Sequence, residues 1–211
     1  MFALTPGDLS GRILDCAAGP ASFNAELTSD GHDVISCDPV YSLTADEIRS
    51  RIDATRGTVV GNARAAQNEF VWRDFASPEH LGEVRMAAMQ RFLADFPEGL
   101  REGRYLVQAL PHLDFHGDEF DLALCSHFLF TYSDQLSTDF HVSAIQEMCR
   151  VAGEARVFPL LKSYGGPSPH LEPVVNALRK RGYEAEIREV PYEFQRGGDK
   201  MLAVRRSTSA G

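Results

Sequence analysis

No run of about 18 consecutive apolar residues occurs in the 211-residue chain, so nothing in it reads as a membrane-spanning helix. Basic residues are scarce: 21 Lys and Arg against 30 Asp and Glu leave a formal charge of −9. That balance offers no basic footprint for phosphate backbones, which argues against a nucleic-acid partner. The four cysteines, Cys16, Cys37, Cys125 and Cys149, include no CxxC pair. Three of them fall in strand-like apolar runs, which predicts buried free thiols in a reducing cytoplasm. Histidines and acids do not cluster at metal-ligand spacing, so no metal is expected. The opening MFALTPGDLS lacks the basic and apolar regions of a leader peptide. Internal repeats and low-complexity segments are absent as well.

The composition, 44% apolar and 24% charged, is that of a soluble globular protein. The length fits one domain spanning 1–211 with a modest insertion, as a monomer or a homodimer. Strand-like and helix-like segments alternate from the start. RILDCAA is a short apolar run, followed by FNAELTSDG behind Ser22 as N-cap and Gly31 as stop. DVISCD ends on Asp38. LTADEIRSRIDATRG follows, with Thr44 and Glu47 spaced as a capping box and Gly57 placed to end the helix.

Residues 58–103 interrupt this rhythm as a helical insertion or lid. Within them Ser77 and Pro78 open a long helix with two apolar stripes, Leu81–Val84–Ala88–Phe92 and Met86–Met89–Leu93–Phe96. Such a helix is either buried all round, or covers the core on one side and a pocket or partner on the other. RYLVQAL, FDLALCSHFLF and EARVFPLL then read as strands, separated by the helices TDFHVSAIQEMCRVAG and SPHLEPVVNALRKRG. The chain closes with YEAEIREVPYEF and MLAVRR as two antiparallel strands joined through Gly197 and Gly198, and a frayed tail over 207–211. The order predicts a parallel sheet between helical layers, with an antiparallel last strand.

In such sheets ligands bind beyond the carboxyl ends of the strands, where strand order reverses. The first candidate is the loop in LDCAAGPAS, whose small residues Ala17, Ala18, Gly19 and Ala21 admit a ligand close to the backbone. The second is Asp38, 19 residues after Gly19, where a carboxylate can accept bonds from both hydroxyls of a ribose. NAD and S-adenosylmethionine sites share both features. The dinucleotide order G-x-G-x-x-G is poorly matched, since Ala17, Gly19 and Ser22 stand at its positions. An acid followed by G-x-G-x-G maps better, as Asp15 and then Ala17, Gly19 and Ala21.

With these residues the chain resembles the class I S-adenosylmethionine-dependent methyltransferases over nearly its whole length, and most of all a group of bacterial proteins without a known substrate. LDCAAGPAS, VISCDP and HLDFHGDEFDLALCSHFLF follow in the family's order. The last is similar to its LPF-x-x-x-x-FD segment, with Asp114 in place of the proline. The resemblance implies a three-layer Rossmann-like fold with a seven-stranded, mostly parallel sheet and the helical insertion before the third strand. It implies S-adenosylmethionine as cofactor, with Asp15 and the backbone of Ala17 and Gly19 at its methionine portion, Asp38 at the ribose and Pro39 near the adenine. Ala109 and Leu110 would follow the third strand, where the family's adenine-binding acid is missing, leaving backbone groups or Gln108. Ser126 and His127 would flank the reactive methyl.

His127 is the candidate general base, because neutral histidine suits a hydroxyl acceptor near pH 7. A hydrogen-bonded structural or cofactor-contacting histidine is the alternative. His112, His116 and His141 read as solvated. The segment CSHFLF lacks the Asn/Asp-Pro-Pro-aromatic motif of amide and base methylation, and no proline-cysteine pair is present. Together with the acidic charge this favours a small-molecule acceptor, for which Phe130, Tyr132, Tyr164, Tyr192, Phe194 and His170 are candidate contacts and Trp72 a candidate lid residue. The leading reading is a methyltransferase working by in-line displacement. A non-catalytic S-adenosylmethionine-binding protein acting through a partner is the alternative, and a nicotinamide oxidoreductase comes third.

Overall fold

A computed structural model describes residues 1–163 and 165–207. Seven strands form one sheet: β1 (Ile13–Cys16), β2 (Val34–Cys37), β3 (Tyr105–Leu106), β4 (Phe120–Ser126), β5 (Ala152–Phe158), β6 (Tyr183–Glu189) and β7 (Lys200–Arg206). Their order is β3-β2-β1-β4-β5-β7-β6, with β7 antiparallel to both neighbours and the remaining pairings parallel. This is the Rossmann-like α/β sheet the sequence predicts, including its reversed last strand. Strand order turns back between β1 and β4, so their carboxyl ends border the crevice where such sheets take ligands.

The strands of the centre are covered on both faces, which is why they read as continuous apolar runs rather than alternating ones. On one face Leu14, Ala123 and Cys125 pack with Ile145 and Met148 of α5 (Thr138–Val151) and Leu178 of α6 (Leu171–Lys180). Burying each of the larger aliphatics contributes roughly 1.5–3 kcal/mol. On the other face Ile13, Val34 and Leu122 meet Phe2, Leu9 of α1 (Pro6–Leu9), and Phe23 and Leu27 of α2 (Phe23–Ser29). All four cysteines are buried and free, as expected. Ser207 N–H closes on Gly182 O at 3.0 Å, and the rest of the expected tail lies outside the described residues.

The insertion departs from its sequence reading. The capping box forms, with Thr44 N–H donating to Glu47 Oε2 at 2.8 Å. Yet α3 (Ala45–Ala65) runs through Gly57 and Gly61 instead of stopping, so a boundary at 58 falls inside it. Both glycines sit on the exposed side with open space around them. Packing of Ile48 and Ile52 against Phe92, Leu93 and Phe96 of α4 (Pro78–Arg101) outweighs their poor helix propensity. The third strand is also shorter than RYLVQAL, because His112 N–H bonds to Ala109 O at 3.1 Å and turns the chain away.

The segment between α3 and α4 is stitched to the β6–β7 connection. Val71 N–H donates to Phe194 O at 2.7 Å, and Arg196 N–H to Glu69 O at 2.8 Å. The Phe194 ring stacks on Phe70 at 4.6 Å and meets Trp72 and Phe75 edge-on at 5.6 and 5.1 Å.

Candidate active site

The loop after β1 takes the tight course that its small residues allow. Ala17 and Gly19 both have left-handed backbone, φ 53° and 59°. A β-carbon at Gly19 would meet nothing within 4 Å, so its backbone is open to approach. Three bonds fix the loop to the end of β2: Ala18 N–H to Cys37 O at 3.3 Å, Gly19 N–H to Asp38 Oδ2 at 3.0 Å, and Tyr41 O–H to Gly19 O at 2.9 Å. Asp38 Oδ1 also accepts from Val40 N–H at 2.8 Å, capping the short turn Pro39–Ser42. A carboxylate offers about four acceptor positions, so two backbone bonds leave capacity for ligand hydroxyls.

At the end of the neighbouring strand, His127 also has left-handed backbone, φ 53°, and donates its N–H to Phe158 O at 2.7 Å. A non-glycine in this conformation costs of order 1–3 kcal/mol, and such strain gathers at functional sites. The His127 Nδ1 lies 2.8 Å from Ser126 Oγ, and the ring stands edge-on to Phe158 at 5.7 Å. Among the described residues Nε2 has no hydrogen-bond partner. Dense surroundings, with the Arg85 guanidinium next in importance, lower its pKa to about 4. At pH 7 this imidazole is neutral.

Between these two strand ends opens a cavity of about 670 Å³, walled by Asp15, Ala18, Pro20, Ser126 and His127 on the sheet side. Its opposite wall is α4, through Val84, Arg85, Ala88 and Met89, and residues 1–4 and the β6–β7 connection complete it. So α4 does both things its stripes allowed: Phe92, Leu93 and Phe96 enter the core while Val84, 41% exposed, faces the cavity. Asp15 is 6% exposed, with Ser36 Oγ as a long 3.4 Å donor. Burial raises its pKa to about 7, and the nearby Asp38 adds to the rise. An uncompensated buried carboxyl facing a cavity is poised for a cationic group.

The expected site residues separate into groups. Asp15, Ser126 and His127 line the cavity, whereas of the loop after β1 it is Ala18, Pro20 and Ala21, not Ala17 or Gly19, that line it. Asp38, Pro39, Ala109 and Leu110 line neither this cavity nor the smaller one described next. Asp38 lies behind the loop on Gly19, Leu110 is in the core, and Pro39 and Ala109 are at the surface. Gln108 Oε1 is taken by Asp114 N–H at 2.9 Å.

A second cavity of about 230 Å³ adjoins the first, sharing Leu81, Arg85, His127, Tyr192 and Phe194, and Tyr132 borders it. Phe130 is not a contact: it is wholly buried against the His141 ring at 5.1 Å. His170 is not one either, since Nδ1 pairs with Thr138 Oγ1 at 2.8 Å and Nε2 with Ser133 O at 2.9 Å, and it lines neither cavity. His141 is not solvated; it is buried, with both nitrogens on the carbonyls of Ser137 and Leu129. His112 and His116 are exposed. Trp72 packs on Phe194 and so holds the segment 66–77 between α3 and α4, the strap over the site, without lining a cavity. Tyr164 lies outside the described residues. Among the described residues no group of three His, Cys, Asp or Glu is arranged to hold a metal ion, and no helix is long and apolar enough to cross a membrane. Sequence reasoning missed Arg85, whose only signal was its place between Val84 and Ala88.

No protein-family model matches the sequence. The uncharacterised protein MJ0045 of the archaeon Methanocaldococcus jannaschii is 32% identical over 207 residues, covering 98% of this chain and 90% of that one. Among solved structures, an S-adenosylmethionine-dependent methyltransferase from Methanosarcina mazei aligns over 97% of this chain and 98% of its own at 16% identity and TM-score 0.49. A TehB-like S-adenosylmethionine-dependent methyltransferase from Corynebacterium glutamicum aligns over 94% and 81% at 19% identity and TM-score 0.48. Magnesium protoporphyrin IX methyltransferase of Synechocystis PCC 6803, solved with bound S-adenosylmethionine, aligns over 95% and 73% at 16% identity and TM-score 0.45.

Proposed function

The chain belongs to the same family as MJ0045, and from that premise and its own site we propose that it is an S-adenosylmethionine-dependent methyltransferase with a small-molecule acceptor. One observation carries the reading. A buried acid, Asp15, and a small-residue loop at the end of β1 face the same cavity as Ser126 and His127 at the end of β4, at the sheet's switch point. The residues present suit this cofactor. The volume of about 670 Å³ lies within the range of cofactor pockets. Asp15 suits the amino group of the methionine portion, the left-handed Gly19 suits close approach, and Asp38 has acceptor capacity for ribose hydroxyls. Pro39 and Ala109, exposed beyond the edge of the cavity, would border the adenine, whereas Leu110 is taken up by the core.

When bound, the cofactor supplies a methyl group on a sulfonium, already activated for displacement. What remains for the chain is to hold an acceptor in line and exclude water, the two contributions that positioning makes to such reactions. Here α4, the strap and residues 1–4 roof the cavity, and His127 reaches both cavities. Its low pKa makes it a poor proton acceptor, so its Nε2 is better suited to orienting the acceptor by a hydrogen bond than to deprotonating it.

Calorimetric titration with S-adenosylhomocysteine and with NAD tests the reading. Saturable binding of the first and none of the second is expected; binding of NAD alone would overturn it.

A further inference from the structure

We propose that the smaller cavity beside His127 is the acceptor site, and that it takes a compact, anionic molecule whose carboxylate pairs with Arg85. The inference rests on the methyltransferase reading and names the substrate class of the same site.

The cavity of about 230 Å³ is below the ~300 Å³ at which typical ligand pockets begin, so its occupant is small. Phe70, Phe158, Tyr192 and Phe194 line it and offer contact to an apolar body, beside the polar side chains of Arg85, Ser163 and Gln195. Two of its lining residues carry polar groups without partners, and only that of Arg85 is open to a ligand. The Arg85 guanidinium makes no ion pair or hydrogen bond among the described residues, in a chain with a net charge of −9. Thr131 Oγ1 is the buried side-chain oxygen left without a hydrogen-bond partner among the described residues, and Thr131 lines this cavity.

Arg85 is exposed, and an unpaired guanidinium beside aromatic side chains is a fork for a carboxylate, since its planar donors match the two oxygens. The acidic surface elsewhere repels free anions, so selection of this charge must be local. Arg85 lies on the wall common to both cavities, as does His127. A carboxylate on Arg85 therefore sets its bearer next to the methyl donor's cavity.

The test is a calorimetric titration of the full chain with acetate, hexanoate and benzoate, alongside neutral benzamide, in the wild type, Arg85→Gln and Thr131→Val. At least one carboxylate binds saturably, benzoate binds more tightly than benzamide, and Arg85→Gln weakens the carboxylate by about tenfold or more, as the loss of a charged hydrogen-bond partner demands. Thr131→Val, whose Oγ1 is shut off from the cavity, leaves benzoate affinity unchanged and serves as the control for Arg85→Gln. The proposal is overturned if no carboxylate binds, if benzoate and benzamide bind alike, or if Arg85→Gln spares benzoate and weakens S-adenosylhomocysteine instead. Wild-type binding of S-adenosylhomocysteine, measured in parallel, separates the two readings. If it binds and no carboxylate does, only the acceptor site falls; if carboxylates bind through Arg85 and it does not, the methyltransferase reading falls and takes the acceptor assignment with it, leaving a carboxylate site alone.

Discussion

Gly19 N–H donates to Asp38 Oδ2 at 3.0 Å, so the loop after β1 and the acid ending β2 are one mechanical unit. The carboxylate spans two strand ends by also taking Val40 N–H. Asp38→Ala therefore removes a loop anchor as well as a ribose acceptor. It is expected to lower unfolding stability by about 1–3 kcal/mol in urea titrations, the range for bonds to a charged group, and to weaken S-adenosylhomocysteine binding in calorimetry. An unchanged urea midpoint would show that the loop holds its shape without the acid.

Asp15 gives the site a pH dependence. Its pKa stands near 7, well above the ordinary carboxylate range, because burial disfavours the charge. The neutral carboxyl thus favours the fold. That contribution is complete below about pH 4 and is lost as pH rises through 7. Asp15→Asn is expected to stabilise the empty protein above pH 7 by roughly 1–4 kcal/mol, from the displacement of the pKa. Binding runs the other way. A ligand ammonium favours the ionised carboxylate, so affinity for S-adenosylmethionine should climb from pH 6 to 8, and the slope should vanish in Asp15→Asn. A flat affinity profile in the wild type would remove Asp15 from the cofactor site.

Ala17 stands in left-handed backbone at φ 53°. An alanine there costs about 1–2 kcal/mol, whereas glycine adopts it freely but loses about 0.5–1 kcal/mol through its unfolded-state freedom. Ala17→Gly is accordingly expected to be neutral to slightly stabilising. Ala17→Val should destabilise by more than about 1 kcal/mol, because β-branching is poorly tolerated at positive φ. The reverse order in thermal melts would mean that side-chain packing, not backbone strain, governs this position.

The sheet was readable in the sequence because its signals are local: apolar runs, the Thr44–Glu47 box, and the glycines between β6 and β7. Gly57 misled because helix stops are weak signals that tertiary contacts override, here the packing of Ile48 and Ile52 on α4. That Asp15 and His127 line the cavity could be read from their places at strand ends, whereas the inward course of Phe130 and His170 could not. The turn after Ser126 sends Phe130 into the core, while His170, ahead of α6, is taken up by Thr138 and Ser133, and residue type decides neither. Arg85 was invisible for a related reason. An arginine on an amphipathic helix reads as solvated, and Arg85 is indeed exposed; that it also borders two cavities depends on the surface packed opposite α4.

The strap over the site hangs on Phe194, whose ring touches Phe70, Trp72 and Phe75. Phe194→Leu keeps an apolar side chain but loses the stack and both edge contacts, each aromatic pair contributing about 0.5–1.5 kcal/mol. Trp72 is the chain's one tryptophan, so its fluorescence reports on the strap alone. The variant is expected to shift that emission to the red and to speed proteolytic cutting within 66–77, while far-ultraviolet circular dichroism of the sheet and helices stays as in the wild type. The backbone bonds from Val71 and Arg196 remain possible in the variant. If they alone secure the strap, emission and cutting will not change, and the aromatic cluster is then only a cover for the cavity wall.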